Sequence, residues 1–372
     1  MPNHSELHNY PSFFDVREKC KSSVPGFVWD YFDSATGSEV SKDLDRSAFD
    51  DFVLEADILK GDFTPDPSKV FFSHSYSMPV GIAPVGLSGL MYPEAEKHLA
   101  ATARKFNIPY CFPTLSTVSF EDLPAKDAAH AWFQLYCTAD LGILEDLLSR
   151  AWQVGMRTLV ITVDLPGPSV RERQIKSGLT MPPTIKLSQL TQLVSHPFWS
   201  CRRLFGGTPK FANLQKYSKS VPSISTAHQG YQLRVNPDID YIDQVRRIWG
   251  GRIILKGISS VSHLEKLDGR AIDAFWVSMH GGRQFQGGRS SIDTLKAIRD
   301  ETDTPLIFDG GVMSGGDVIK SLNVGANLIF SGKAFHYALG AFGAKGPEIA
   351  CQLFNRDIVA HMYQMGVKKF AN

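Results

Sequence analysis

Short apolar runs alternate with segments of helical periodicity along most of this chain. Eight of these runs are apolar enough to form strands buried on both faces. They occupy residues 79–83, 109–112, 132–136, 158–163, 252–256, 273–277, 305–309 and 327–331. Eight strand-plus-helix units predict a (β/α)8 TIM barrel over about residues 79–345. The alternative is an open doubly wound sheet, which typically carries a G-x-G-x-x-G turn after an early strand, and this sequence has none.

The alternation is interrupted between residues 163 and 252, where no clear strand pattern occurs. This stretch is rich in proline, serine and aromatic residues, and connections of such length are usually lids or binding loops. The pattern favours a lid insertion over about residues 177–236 that packs on the barrel. The alternative, for the aromatic and basic residues 198–205, is contact with a membrane surface or a partner. A short helical segment is expected ahead of the barrel.

Composition narrows the class of protein without identifying it. The chain has 372 residues, 43% of them hydrophobic, and 39 basic residues nearly balance 38 acidic ones. No bulk charge therefore favours nucleic acid or an anionic membrane as a partner. The five cysteines are scattered, so neither a disulfide framework nor a metal site is predicted. We expect a single domain over residues 1–372 in the cytoplasm, with association with a membrane as the alternative.

Residues with reactive side chains follow nearly every predicted strand. In a barrel of this kind the loops at the carboxyl ends of the strands carry the chemistry. The stretch WVSMHGGRQFQGG at 276–288 places a histidine and an arginine beside bare backbone at one such end. Two further loops, around Gly311 and Gly332, are of the kind that binds phosphate after strands seven and eight. The other strand-end candidates are Gln134, Tyr136, Thr162, Asp164, Arg171, Lys256, Ser278 and Asp309.

Several longer stretches carry a resemblance to a known family. They are VWDYFDSATG, IAPVGLSGLMYPEAE, WFQLY, ITVDLPG, ILKG, VSMHGGRQ, FDGGV and IFSGKAF. With them the chain resembles the FMN-dependent 2-hydroxy acid dehydrogenase and oxidase family, which includes glycolate oxidase, lactate oxidase and mandelate dehydrogenase. The HGGRQ block after a strand is the most specific of them. The lid stretch HPFWSCRRLFGGTPKFANL and Gly86 in PVGLSG look most like the mandelate dehydrogenase branch.

The resemblance implies oxidation of an (S)-2-hydroxy acid to the 2-oxo acid. His280 would remove a proton from the substrate, and Asp164 would orient and stabilise the imidazolium. Arg283 and Arg171 would hold the substrate carboxylate. The substrate pocket would be completed by Tyr31 and Tyr136. Electrons would pass to oxygen or a quinone, and the chain would form a homotetramer.

The resemblance also implies FMN as the cofactor. Lys256 would lie beside N1 and O2 of the flavin and stabilise the reduced ring. The flavin ring would contact Ala83, Pro84, Val85, Thr114, Gln134, Thr162 and Ser278. The ribityl chain and phosphate would contact Asp309, Gly311, Gly332 and Lys333.

Four positions depart from the family pattern. Met279 replaces an asparagine, Met313 and Lys333 replace arginines, and Gln286 replaces an aspartate. These departures predict weaker phosphate anchoring and an altered flavin environment. The alternative function is therefore a barrel of the same family with altered chemistry, either a specialised biosynthetic flavoenzyme or a non-catalytic binding protein.

Overall fold

The computed structural model describes residues 4–178, 187–217 and 235–371. An antiparallel hairpin of β1 (Lys69–Phe71) and β2 (His74–Tyr76) precedes the main sheet. The main sheet has eight parallel strands in the order β3-β10-β9-β8-β7-β6-β5-β4. They are β3 (Val80–Ile82), β4 (Cys111–Pro113), β5 (Trp132–Tyr136), β6 (Thr158–Thr162), β7 (Arg252–Ile258), β8 (Ala274–Val277), β9 (Leu306–Phe308) and β10 (Leu328–Ser331). A parallel bridge between Ile82 and Tyr110 joins the first strand to the last in this order and closes the barrel.

All eight sequence-predicted strands are confirmed. Each strand has apolar side chains on both faces. Alternate residues point into two different cores, the barrel interior and the layer between the sheet and the helices. In β6, Val160 points into the barrel, whereas Leu159 and Ile161 pack against the surrounding helices. Large aromatic side chains fill the barrel interior, and the Trp276 and Phe330 rings lie 4.2 Å apart there. The interior is thus a packed core, which leaves chemistry to the loops at the strand ends.

Helices surround this sheet. Among the described helices, five begin at a serine or aspartate whose side chain accepts from a backbone N–H of the first turn: Ser12, Asp140, Asp238, Ser290 and Ser314. The four helices of the N-terminal segment are α1 (His4–Asn9), α2 (Phe13–Ser23), α3 (Gly26–Asp33) and α4 (Val40–Ser47). Next come α5 (Ala95–Lys105), α6 (Ala125–His130), α7 (Leu141–Gln153), α8 (Glu172–Lys176), α9 (Leu187–Ser195), α10 (Pro197–Gly206) and α11 (Ile239–Ile248). The last are α12 (Ser262–Leu267), α13 (Ser291–Arg299), α14 (Gly315–Val324), α15 (Lys333–Phe342) and α16 (Gly346–Gln364).

The N-terminal segment packs against the last two helices and reaches the barrel mouth. Trp29 of α3 stacks on Tyr337 of α15 with ring centroids 5.4 Å apart. Phe13 of α2 contacts Phe354 of α16 at 4.4 Å. Because α2 and α3 are anchored in this way, Tyr31 of α3 is brought to the carboxyl end of the strands, where its hydroxyl donates to the Gly86 carbonyl.

The predicted lid falls partly outside the described residues, which omit 179–186 and 218–234. The described parts form α9, α10 and a 3-10 helix, Ala212–Tyr217. The Trp199 indole N–H of α10 donates to the Leu90 carbonyl at 3.2 Å, and Asn213 is fully buried against the loop that follows β4. These contacts place the described lid elements over the barrel mouth. None of the described helices has the length and apolarity needed to cross a membrane.

Candidate active site

A histidine and an aspartate meet at the carboxyl ends of β6 and β8. His280 Nδ1 lies 3.1 Å and 3.3 Å from the two oxygens of Asp164. Burial lowers the pKa of His280, and the Asp164 carboxylate opposes that shift. Burial works to raise the pKa of Asp164, but the hydrogen bond and charge interaction with His280, together with the Lys256 charge, outweigh burial, and the pKa is lowered. The pair is therefore a neutral imidazole backed by an ionised carboxylate, the arrangement of a general base.

The backbone around the histidine is unusual and explains the glycines of HGG. His280 itself has a φ of 54°, a left-handed conformation that a non-glycine residue rarely adopts. Its N–H donates to the Ser278 hydroxyl at 3.1 Å. A Cβ on Gly282 would lie 2.8 Å from the Lys42 backbone nitrogen. Only glycine permits α4 to approach this turn so closely.

Two arginines lie beside the pair. The Arg283 guanidinium donates to the carbonyls of Tyr31 and Ser34 at 2.8 Å and 2.9 Å. The Arg171 charge lies close enough to lower the pKa of both Arg283 and His280, and its Nε donates to the Arg283 carbonyl at 3.4 Å. Burial, together with the Arg171 charge, lowers the pKa of Arg283 to about 9. Neither arginine has an ion-pair partner among the described residues, so a bound carboxylate would relieve their mutual repulsion.

A buried lysine and aspartate form a second charged pair at the ends of β7 and β9. Lys256 Nζ lies 2.9 Å from Asp309 and donates to the Ser278 hydroxyl at 2.7 Å. The Trp276 indole N–H donates to the same carboxylate at 3.0 Å. Burial lowers the pKa of Lys256, but Asp309 and Asp164 outweigh that effect and raise it. Lys256 is thus a fixed positive charge at the barrel mouth.

A row of polar side chains crosses the ends of β4, β5 and β6. The Gln134 amide donates to the Thr162 hydroxyl at 2.9 Å, and the Thr114 hydroxyl donates to the Gln134 carbonyl at 2.6 Å. Tyr136 follows on the same strand and lies near both Lys256 and Arg283. The row thus lies on the same edge of the barrel as the charged pairs. The residues 83–85 after β3 lie on this edge too, where β3 pairs with β10.

The two glycine loops adjoin this edge. A Cβ on Gly311 would lie 2.4 Å from the Asp45 carbonyl oxygen, and one on Gly332 would lie 3.2 Å from the Val85 side chain. Lys333 begins α15, and its ammonium donates to the Asp33 carbonyl at 3.1 Å. Burial lowers the pKa of Lys333 to about 7; the Lys42 and Arg283 charges act in the same direction, and the Asp33 carboxylate opposes them. No described carboxylate lies within ion-pair distance of it, so this corner can accept an anion.

Comparisons with known proteins identify the family. Residues 20–372 match the model of the FMN-dependent dehydrogenases. The chain belongs to this family. An L-lactate dehydrogenase of Xanthobacter autotrophicus is 32% identical over 96% of this chain and 93% of its own, and one of Allorhizobium ampelinum is 33% identical over 96% and 95%. Among solved structures, the monotopic membrane protein (S)-mandelate dehydrogenase is 26% identical, covers 96% of both chains and superposes with a TM-score of 0.88. A putative lactate oxidase of Pediococcus acidilactici is 25% identical over 96% and 91%, with a TM-score of 0.82.

The residues at the barrel mouth fit the FMN of this family. The polar row offers donors and acceptors for the edge of a flat heteroaromatic ring, and Lys256 offers a positive charge to that ring when it is reduced. At the other end, Gly311 and Gly332 remove side chains and Lys333 supplies a cation that lacks an ion-pair partner among the described residues. These are the two kinds of environment that a flavin ring and a phosphate need.

The structure also shows charged residues that the sequence patterns missed. Asp33 is buried and forms ion pairs with Arg17 at 3.0 Å, Arg173 at 2.6 Å and Lys42 at 3.6 Å. These pairs join α2, α3, α4 and α8 directly beside Lys333. The only available signal was the position of Asp33 two residues after Tyr31 in YFDSATG.

The sequence patterns also missed an arginine that lies beside the glycine loop at Gly311. Arg46 of α4 donates to the Gly311 carbonyl at 2.7 Å and to both oxygens of Asp317 at 2.5 Å and 2.6 Å. Met313, where the family has an arginine, is buried, and its N–H donates to Asp317. Arg46 therefore brings a guanidinium from the N-terminal segment to this loop, but Asp317 already holds it.

Proposed function

We propose that this FMN-dependent dehydrogenase oxidises an (S)-2-hydroxy acid to the 2-oxo acid. The observation that carries the proposal is the His280–Asp164 pair beside Arg171 and Arg283, which have no carboxylate partner among the described residues. One pair of groups accepts a proton and the other binds a carboxylate. Relatives named L-lactate dehydrogenase and a structural neighbour named (S)-mandelate dehydrogenase support a substrate of this class.

The substrate carboxylate binds between the guanidinium groups of Arg283 and Arg171, which fixes the orientation of the 2-carbon. His280 takes one of the two protons that the alcohol loses, and Asp164 stabilises the resulting imidazolium. Bound FMN would supply the acceptor for the two electrons together with the second proton. Lys256, held by Asp309, keeps a positive charge at the barrel mouth throughout. Tyr31 and Tyr136 complete the walls of the substrate site.

The proposal is tested by mixing the holoenzyme with a panel of 2-hydroxy acids without oxygen. We expect the yellow flavin absorbance to bleach with an (S)-2-hydroxy acid but not with its enantiomer. In His280→Gln the rate constant of bleaching should fall by about 100- to 10,000-fold, because the proton acceptor is lost. FMN content serves as the control. Retained FMN without bleaching by any member of the panel would support the altered-chemistry alternative instead.

The role of Arg283 and Arg171 can be distinguished from that of His280 by kinetics. Substitution of an arginine should change KM, whereas substitution of His280 should change the rate of flavin reduction. Arg283→Met removes a charge-assisted contact made in both the ground and the transition state. We therefore expect KM to rise by about 10- to 100-fold, from about 1.5–3 kcal/mol per charged hydrogen bond. A neutral substrate analogue, the 2-hydroxy amide, should lose this dependence. An unchanged KM in both arginine variants would remove the carboxylate-binding role.

For the electron acceptor we propose a quinone rather than oxygen. Gly86, which is typical of the mandelate dehydrogenase branch, follows β3, and its carbonyl accepts from the Tyr31 hydroxyl at 3.1 Å. A Cβ at this position would lie 3.2 Å from Leu115. Stopped-flow reoxidation of the reduced enzyme by oxygen and by a soluble quinone measures the preference directly. Faster reoxidation by oxygen would assign the protein as an oxidase.

We further propose that α9 and α10 contact an anionic lipid surface. Four large apolar side chains are at least 80% exposed there: Val194 at 81%, Phe198 at 80%, Leu204 at 80% and Phe205 at 90%. Exposed apolar side chains flanked by the basic residues 202 and 210 suit the boundary of an anionic bilayer. The double variant Phe198→Ser, Phe205→Ser should lose sedimentation with phosphatidylglycerol vesicles and keep its activity. Size-exclusion chromatography with light scattering, without lipid, tests the tetramer that the family resemblance implies.

A further inference from the structure

The end of the barrel opposite the candidate active site holds a cavity of about 180 Å³. The β1–β2 hairpin and the end of α6 form one side of it. The other side is formed by Trp132, Thr158 and Arg252, which are the first residues of β5, β6 and β7. We call this space the basal cavity. Because it lies at the amino ends of the strands, none of the residues assigned to oxidation reaches it.

The walls of the basal cavity are aromatic. Phe71 and Phe72 of the hairpin lie 4.1 Å apart, and Phe71 also stacks on Trp132 with ring centroids 6.2 Å apart. Tyr76 adds a fourth ring; burial raises its pKa to about 12, and a hydrogen bond with the Trp132 indole opposes that rise. A flat apolar ligand would find ring surfaces on more than one side.

The polar groups of the basal cavity are all basic or neutral. Two arginines, Arg157 and Arg252, and two histidines, His74 and His130, line it, and its lining residues include no carboxylate. The Arg252 guanidinium lies over the Phe72 ring at 4.2 Å. Its nearest carboxylate, Asp273, is 3.7 Å away, a long ion pair with the Arg252 side chain 43% exposed. An anion that entered the cavity would meet a guanidinium that is only weakly neutralised.

The hairpin turn above the cavity is strained. Phe72 and Ser73 both have left-handed backbone, with φ of 50° and 62°. A non-glycine residue in this region costs about 1–2 kcal/mol, and asparagine or glycine is the usual choice for such a turn. Positive φ at both central residues is what a two-residue type I′ turn between Phe71 and His74 requires, and this turn places the Phe72 ring against the Arg252 guanidinium.

We propose that the basal cavity binds a small aromatic carboxylate, with the ring against Phe72 and Trp132 and the carboxylate on Arg252. An engineered cavity of roughly 150 Å³ in another protein holds benzene, so a volume of about 180 Å³ admits one ring with a small charged substituent. The aromatic walls select a flat ring, and the arginines select a negative charge. The proposal is independent of the oxidation of hydroxy acids, because it uses a different end of the barrel.

The test is a titration of the holoenzyme with 4-fluorobenzoate, followed by 19F NMR. We expect Phe72→Asn to weaken binding at least tenfold while the melting temperature stays equal or rises, because asparagine suits the left-handed turn. Arg252→Gln should weaken binding by a similar factor. Arg247→Gln, an exposed change of the same kind on α11 outside the cavity, is the matched control and should leave the affinity unchanged.

The variant Arg283→Met distinguishes binding of the probe at the active site from binding in the basal cavity. If 4-fluorobenzoate binds only there, its signal is lost in Arg283→Met and unchanged in Phe72→Asn and Arg252→Gln, and the proposal is overturned. It is equally overturned if the holoenzyme does not bind the probe at millimolar concentration. Binding that survives Arg283→Met and is lost in the two cavity variants supports it. None of these readouts requires turnover, so they stand even if the holoenzyme proves inactive on hydroxy acids.

Discussion

Two lysines on the same edge of the barrel differ in how their charge is balanced. Lys256 is buried with Asp309 at 2.9 Å, and its pKa is raised. Lys333 has a backbone carbonyl as its hydrogen-bond partner, and its pKa is lowered to about 7. The first charge is neutralised by the protein itself. The second has no ion-pair partner among the described residues, so a bound anion would stabilise it.

The difference separates the two ends of the proposed flavin site. The ring end, around Lys256, is held by Ser278 and Trp276 as well as by Asp309. The phosphate end, around Lys333, is where two of the family's arginines are replaced. We infer that chemistry at the ring end is preorganised, whereas cofactor affinity at the phosphate end depends on conditions such as pH. Substitutions of the two lysines should therefore change different properties of the enzyme.

The largest effect should come from breaking the pair at the ring end. Lys256→Met leaves Asp309 buried without its partner, which costs about 3–5 kcal/mol of unfolding free energy. The loss of the fixed charge should also lower the rate of flavin reduction by about 100- to 1,000-fold. Urea denaturation and anaerobic stopped-flow measure the two effects. Lys256→Met combined with Asp309→Asn should recover much of the stability but none of the rate; recovery of both would show that the charge has no role in chemistry.

At the phosphate end the expected effect falls on cofactor affinity rather than on rate. Lys333→Met should weaken FMN binding by about 10- to 100-fold, since a charged hydrogen bond contributes about 1.5–3 kcal/mol. Riboflavin, which lacks the phosphate, should bind the variant and the parent equally. Flavin fluorescence quenching gives both dissociation constants. Equal losses for FMN and riboflavin would mean that Lys333 acts on the ring or on the fold instead.

The affinity for FMN should also depend on pH through Lys333. Above pH about 7 the lysine must take up a proton to meet the phosphate, so affinity should fall by up to about tenfold per pH unit. The same lowered pKa makes the unfolded apoprotein bind more protons between pH 7 and 10.5, so apoprotein stability should rise with pH across that window. Lys333→Arg keeps its charge and should flatten the affinity profile. A parent profile as flat as that of the arginine variant would contradict the assignment.

Much of the barrel was predictable because its signal is local. Eight apolar runs such as TLVITV mark strands buried on both faces, and all eight are confirmed. The position of His280, Asp164 and Lys256 just after or at the end of apolar runs predicts that they share one edge of the barrel, and they do lie together there. These contacts were predictable because the fold brings the carboxyl ends of all eight strands to the same face of the barrel.

The contacts of the N-terminal segment were not predictable in the same way. Asp33 pairs with Arg173 across 140 residues, and Arg46 pairs with Asp317 across 271. No periodicity encodes which face of α3 or α4 meets the barrel, because these helices lie outside the repeating units. The hydrogen bond between Asp309 and the Trp276 indole was likewise absent from the prediction, which assigned Asp309 to the ribityl chain alone.

The smallest effect is expected at Met279, the departure that lies next to the HGGRQ block. Its terminal methyl group would be 2.5 Å from a Cβ on Gly288, so the side chain points along the loop toward Gly288 and Phe285. Phe285 is 63% exposed, which places this contact at the surface. Met279→Asn should therefore change the rate of flavin reduction by no more than about threefold. This limit corresponds to the free-energy change of about 0.5 kcal/mol that surface substitutions usually cause. Stopped-flow reduction of the variant is the measurement. A change as large as that of Lys256→Met would mean that this position acts on the ring end after all, and that the two ends of the site are coupled.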